Sequence, residues 1–327
     1  MAQAQPAGNG FWHKLAQVKS SPQLPAFGDC NPFCDRKKLK GLVPAFLEAY
    51  RAKPLRKNLC GCLLNHCMIN FMIASLSNAT FIVENGVDAG MSGYMYRKAQ
   101  PAAEIWHIDP APEACDASVK RWINPSKAHY LTGKDFVDFF DVNWEQAGVD
   151  KKRSLVLFDT HLPDFFNIIK AVSRGFSTFV VDDNYPTVDP GTMGGLSLKT
   201  VMGAGGDKQK QIIRALDWYY EMPPLINPLL VPRKLAKKYP RIFTVHRFNT
   251  SKRFGFELAF NQCTKGRHCQ FVIDAEDLRA GVTQAPLLDL FDPADAELFE
   301  KIADSGIVRE YEWWAYNHMA VLGTNQR

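Results

Sequence analysis

Residues 154–186, SLVLFDTHLPDFFNIIKAVSRGFSTFVVDDNYP, constrain the fold more than any other stretch. Ser154 to Phe158 is a short apolar run, which reads as a strand buried on both faces. Asp159-Thr160-His161 follows at once. Phe165, Phe166, Ile168, Ile169 and Val172 then recur at helical spacing, and Gly175 stops that helix. Phe176 to Val181 is a second apolar run, ending in Asp182-Asp183-Asn184-Tyr185-Pro186. The stretch is one β-α-β unit with acidic residues just past the end of each strand.

In open parallel sheets, ligands sit in the crevice outside the carboxyl ends of the strands. Neighbouring strands lie about 4.8 Å apart, so Asp159 and Asp183 are expected to face one small volume. Two carboxylates that close repel each other unless a cation or a shared proton intervenes. With Asn184 they form an oxygen-rich set that suits magnesium or another hard divalent cation. The same residue types are also ordinary loop acids and helix caps.

Upstream, Thr80 to Glu84 reads as a strand that leads into Asn85-Gly86-Val87-Asp88-Ala89-Gly90-Met91-Ser92 and then a helix. Glycines permit a tight turn, and a helix start offers unpaired N–H groups, so this order cradles nucleotide-type ligands. The spacing is Glu-x-Gly-x3-Gly-x-Ser, which departs from Gly-x-Gly-x2-Gly. Ile105 to Asp109 is a further strand ending in an acid, the placement that accepts hydrogen bonds from a ribose diol. Ala128 to Thr132 is a fourth strand, with helical spacing expected from Phe136 to about Trp144. Residues 80–184 therefore alternate strand and helix five times, which means a doubly wound parallel sheet.

Before this core, residues 1–37 are rich in Pro, Gly and small polar residues, and two helices are expected over 38–52 and about 60–75. Residues 1–75 thus read as an N-terminal extension and helical appendage. After it, 187–210 is glycine-rich and reads as a mobile loop. Trp218 to Pro224 is aromatic and turn-rich, with packing as its default role. Arg241 to Val245 and Gln270 to Asp274 read as extended, and 286–305 contains a helix. Residues 307–314 and 318–322 read as a terminal hairpin forming an antiparallel sheet edge. Residues 76–327 form the main domain, with an insertion at about 187–250.

The 327 residues, 46% hydrophobic, suffice for a large core. Lys and Arg number 39 against 34 Asp and Glu, without a basic block interleaved with aromatics, so nucleic acid is not an expected partner. No apolar run reaches the roughly 18 residues of a membrane span. The N-terminus lacks the order of a signal peptide, so a cytoplasmic location is expected. Cys30, Cys34, Cys60, Cys62 and Cys67 fit zinc-ligand spacing only loosely, and Cys67 reads as a small core residue.

The turn with Glu84, Gly86, Gly90 and Ser92 resembles motif I of class I S-adenosylmethionine-dependent methyltransferases. Phe158-Asp159-Thr160-His161 and Val181-Asp182-Asp183-Asn184 resemble the metal-bearing strand ends of catechol O-methyltransferase-like enzymes. The turn and the Asp-Asn-Tyr-Pro ending are closer to the macrocin O-methyltransferase and cephalosporin hydroxylase-like branch. This resemblance implies a seven-stranded, mostly parallel Rossmann-like α/β sheet with a C-terminal antiparallel hairpin. It implies S-adenosylmethionine at Glu84, Gly86, Gly90, Ser92, Asp109 and Asp135, and a divalent cation such as Mg2+ at Asp159, Asp183 and Asn184. The catechol enzymes carry a general-base Lys three residues after the first metal Asp. Here that position is Leu162, and His161 is the nearest replacement, as a base or as a histidine orienting its neighbours. The expected activity is metal-dependent O-methyl transfer to a small-molecule hydroxyl. The rival readings are a hydroxylase or lyase on the same scaffold, and a non-catalytic binding protein.

Overall fold

The computed structural model describes residues 29–55, 62–112, 121–160, 164–182, 184, 198, 201, 206–228, 230–243, 258–260, 271–274, 284–309, 312–313 and 319–324. Helix α1 spans Arg36–Arg51 and α2 spans Leu64–Ser77. Strand β1 (Phe81–Asn85), helix α3 (Met91–Ala99) and strand β2 (Glu104–Asp109) follow. Next come β3 (Ala128–Thr132), β4 (Ser154–Phe158), α4 (Asp164–Ser173) and β5 (Thr178–Val181). The remainder is α5 (Gly206–Ala215), β6 (Trp218–Glu221), α6 (Arg233–Lys238), α7 (Pro240–Phe243), β7 (Leu258–Phe260), β8 (Phe271–Asp274), α8 (Pro293–Asp304) and β9 (Ala320–Gly323).

Seven strands form one sheet in the order β3-β2-β1-β4-β5-β9-β6, and β7 pairs with β8 separately. Strand β9 runs antiparallel to both of its neighbours, so the other strands share one direction. The sheet is therefore mostly parallel, as expected, with an antiparallel strand from the C-terminal end.

Side chains alternate across the pleat and sort into two cores. Ile82, Ile105, Leu155, Leu157, Val180 and Val321 face one side, where they pack with α1, α2 and α3. Val83, Trp106, Ile108, Val156, Phe158, Phe179, Val181 and Leu322 face the other, with α4 and α5. Burial on both faces explains why these strands read as continuous apolar runs rather than alternating ones.

Helix α1 begins at Asp35, whose carboxylate accepts from the Lys37 and Lys38 amides. Its apolar stripe, Leu39, Val43, Phe46, Leu47 and Tyr50, is buried. Helix α2 is buried along Leu64 to Ala74, on every side, because it is wedged between α1 and α3. The N-terminal helices thus share one continuous core with the sheet.

Four expectations change. Residues 136–144 form irregular backbone and turns rather than a helix; Phe139 and Trp144 are buried there by packing on Phe158 and Phe176. Pro240–Phe243 is helical, not extended, and packs on Phe299 of α8. The partner of the C-terminal strand is not residues 307–314, which hold no strand among their described residues. It is Trp218–Glu221, inside the stretch read as an insertion. Finally, Cys30 and Cys34 are joined in a disulfide, which removes both from any zinc site. Most of the glycine-rich stretch 187–210, expected as a loop, lies outside the described residues, and its last residues, Gly206 to Lys210, open α5 instead. No helix among the described residues is long and apolar enough to cross a membrane.

Helix α1 is tied to the C-terminal region through a buried ion pair. Lys53 Nζ lies 2.7 Å from Glu312 Oε1, and Tyr50 donates its hydroxyl to the same oxygen at 2.6 Å. The Arg309 amide donates to Glu312 Oε2 at 2.7 Å. Removing one partner of such a pair leaves an uncompensated buried charge. Glu312→Ala is expected to lower unfolding free energy by about 3–5 kcal/mol, measured by urea titration.

Candidate functional site

The strand registers set the site. Asn85 pairs with Phe158, and Phe158 with Val181, so β1, β4 and β5 end side by side. The ladder extends one step further: the Asp159 amide donates to Asn85, and the Asp182 amide to Phe158. The residue beside Asp159 is therefore Asp182. Asp183 and His161 lie outside the described residues.

Gly86 is where β1 and β4 touch. It adopts φ +105°, and a Cβ there would stand 2.0 Å from the Asp159 carbonyl oxygen. Only a glycine fits both the conformation and the contact. Gly90 has φ +83°, and a Cβ would stand 2.5 Å from the Trp122 carbonyl oxygen. The space at Gly90 thus belongs to the segment between β2 and β3, whose Trp122 amide donates to Ala89.

Asp109, at the end of β2, locks the turn. Its Oδ2 accepts from the amides of Val87 and Asp88 at 2.8 and 3.2 Å, and its Oδ1 from Ala111 at 2.9 Å. Glu84 and Ser92 meet beneath the turn instead of facing the crevice: the Ser92 hydroxyl donates to Glu84 Oε1. His107 Nδ1 lies 2.5 Å from Glu84 Oε2, and both side chains are buried. The His107 ring stacks on Tyr130 and packs so closely on α3 that a Cβ at Gly93 would stand 2.7 Å from it. Asp135 is exposed in a single 3-10 turn after β3, two strands from β1, or about 10 Å across the sheet.

Glu84, His107, Asp159 and Asp182 stand at even steps from residues of the α1–α3 core, so the pleat places them on that one face. A polar layer results beneath α2 and α3. His66 Nδ1, on the first turn of α2, lies 3.4 Å from Asp182 Oδ2. Tyr96 of α3 donates its hydroxyl to Asn70 Oδ1 of α2 at 2.7 Å. Burial, reinforced by Glu84, Cys62, Asp182 and Asp159, pushes the Tyr96 hydroxyl well above its ordinary pKa, so it remains a neutral donor.

Asn184 takes another direction. Its Nδ2 donates to the Tyr219 hydroxyl at 2.7 Å, and that hydroxyl donates to Glu221 Oε1 at 3.1 Å. A phenol has one proton. Because Tyr219 gives it to Glu221, it must accept from Asn184, which fixes the amide nitrogen toward β6. Burial and the neighbouring Glu221 carboxylate push the Tyr219 pKa well up. The described residues include no group of three or more His, Cys, Asp or Glu side chains placed to hold a metal ion.

Sequence reasoning named Asp109 and the glycine turn as cofactor contacts, and the structure joins the two through the Val87 and Asp88 amides; that reasoning gave no role to His107, Asp182, His66, Tyr96 or Asn70. His107 had a signal: it lies two residues before Asp109 on the same strand face. His66 had none, since nothing local marks a histidine in an apolar helix as facing a strand end.

No family model matches the chain, and no curated protein matches its sequence. Among solved structures, cofactor-bound Rv0187 from MTB aligns at a TM-score of 0.26 and 14% identity, covering 49% of this chain and 74% of that one. A likeness that weak carries nothing about fold or function.

Gly86→Ala tests the β1–β4 junction. The added methyl must displace the Asp159 backbone, and alanine must also hold a φ of +105°, so a loss of about 2 kcal/mol or more in urea unfolding is expected.

Proposed function

We propose that this chain binds S-adenosylmethionine where β1 meets β4 and transfers its methyl group to a hydroxyl of a small molecule, with a divalent cation at the ends of β4 and β5. The observation that carries this reading is the sheet order. The strands run outward from β1 through β2 to β3, and in the opposite direction from β4 to β5. Ligands of doubly wound sheets bind at such a reversal, outside the carboxyl ends. Here that point holds the glycine turn, Asp109 and Asp159.

The residues fit the cofactor. Asp109 holds three amides, and a carboxylate has about four lone-pair sites, so it keeps acceptor capacity for a ribose hydroxyl. Gly86 and Gly90 shape the turn that the cofactor would follow, Glu84 and Ser92 brace it from below, and Asp135 would meet the cofactor's far end. S-adenosylmethionine, when bound, supplies an electrophilic methyl group.

For the cation, Asp159 supplies a carboxylate, and the amide orientation of Asn184 presents Oδ1, the atom a hard ion prefers, away from Tyr219. Asp183 would complete the set, and His161 would take the proton of the acceptor hydroxyl. A divalent cation there supplies Lewis acidity that makes a hydroxyl easier to deprotonate. The substrate class follows from this pairing of cation and base with an electrophilic methyl group.

Calorimetry with S-adenosylmethionine, with and without magnesium, tests the proposal. Asp109→Ala is expected to weaken binding at least tenfold, a loss of about 1.4 kcal/mol. Asp109→Asn, which keeps one acceptor for the turn amides, is expected to weaken it less. Magnesium at a hundredfold excess over its dissociation constant is expected to stabilise the protein by about 2.7 kcal/mol, read as a rise in melting temperature. That increment is expected to shrink in Asp159→Asn. Absence of binding heat for S-adenosylmethionine under both conditions would remove the methyltransferase reading. A melting curve indifferent to magnesium and manganese, with cofactor present, would remove the cation alone.

A further inference from the structure

Helix α2 starts without an ordinary cap. Its N-cap residue, Leu63, is extended at φ −94° and ψ −167° and offers no side-chain acceptor. Many helices hold such an end with a contact between the residue before the N-cap and the fourth residue of the helix. In α2 those positions are Cys62 and Cys67. Their sulfurs stand 2.9 Å apart, and the Cys67 thiol also donates to the Cys62 carbonyl at 3.2 Å. Asn70 Nδ2 approaches the Cys62 sulfur at 3.9 Å. The helix geometry itself presses the two thiols together.

We propose that Cys62 and Cys67 are a reversible disulfide pair, a covalent staple across the first turn of α2. Nothing in the proposed methyl transfer requires it. Three observations carry the inference. Bond formation needs an S–S distance of about 2.05 Å, so the sulfurs have less than an ångström to travel. Cys67 is fully buried in the α1–α3 core, which fixes one partner, while Cys62 is only partly buried and is the first of the two that a reagent would meet. The turn is anchored between the two cysteines: Asn65 Oδ1 accepts from the Leu225 amide at 3.1 Å, and His66 faces Asp182. The staple therefore sits in the wall of the candidate site, where it orders the turn that carries His66.

The chemistry is exchange with a low-molecular-weight disulfide such as oxidised glutathione. The Cys62 thiolate attacks one glutathione sulfur, and the second glutathione leaves as a thiolate that takes up the Cys62 proton. The Cys67 thiol, losing its proton, then attacks the Cys62 sulfur of the mixed disulfide and expels the remaining glutathione as a thiol. Two protein thiols become one disulfide, and one glutathione disulfide becomes two thiols. Burial, followed by the neighbouring Cys67, pushes the Cys62 thiol well up, so its thiolate is scarce and exchange in the folded protein is slow.

The test uses the full chain. Protein is equilibrated with oxidised glutathione or with dithiothreitol, quenched in acid, unfolded, alkylated and mapped by peptide mass. After oxidation, Cys62 and Cys67 are expected to escape alkylation as one internally linked pair, two hydrogens lighter, and to recover both thiols in dithiothreitol. The oxidised protein is expected to melt at a higher temperature than the reduced one, and that difference is expected to shrink in Cys62→Ser, which keeps only the contribution of the Cys30–Cys34 disulfide. Full alkylation of both after oxidation, a glutathione adduct that does not resolve, or pairing of either with another cysteine such as Cys60 would overturn the proposal. The mapping needs no variant, so a poorly folded substitution leaves the test intact.

Discussion

The reversal of winding at β1 governs the rest of the molecule. From β1 the chain crosses through α3 to β2, and α3 packs on one face of the sheet. From β4 it crosses through α4 to β5 in the opposite direction, and α4 packs on the other face. Crossovers of one hand must change face when they change direction. The two connections therefore part above the β1–β4 junction and leave a crevice. Gly86 lets the two backbones close beneath it, and Asp109 keeps the turn above it in place.

The face under α2 and α3 carries an unusual load of polar groups for a buried layer. Glu84, His107, Asp182, His66, Asn70 and Tyr96 all lie in it. Buried polar groups are tolerated when they are bonded to one another. Here Ser92 and His107 satisfy Glu84, Asn70 accepts from Tyr96, and Asp182 has His66 beside it. The His107–Glu84 contact joins β2 to β1, and the others join a strand or strand end to a helix or one helix to another, so the layer also sets the height of α2 and α3 above the sheet. The helical region at the N-terminal side of the chain thereby becomes one wall of the candidate site.

The β-α-β core was legible because its signals are local. A strand buried on both faces must be apolar throughout, and Ser154 to Phe158 and Phe176 to Val181 show this directly. The failures share one cause. Trp218–Glu221 became a strand because β9 inserts beside it, a pairing across a hundred residues of sequence. Residues 136–144 carry helical spacing, but Phe139 and Trp144 are consumed in a cluster with Phe158 and Phe176, and turns deliver them there.

The site divides along the same line. By itself the sequence determined the β-α-β alternation, the glycine turn and the acids at the strand ends, because each depends on neighbours within a few residues. Only the tertiary structure decided which acid faces what. Register put Asp182, rather than Asp183, level with Asp159, and the pleat turned it toward His66. Pairing withdrew Glu84 and Ser92 beneath the turn, and a phenol with a single proton settled the orientation of Asn184. Side-chain direction depends on which strand lies alongside and which helix lies above, and those are contacts between residues far apart in the chain.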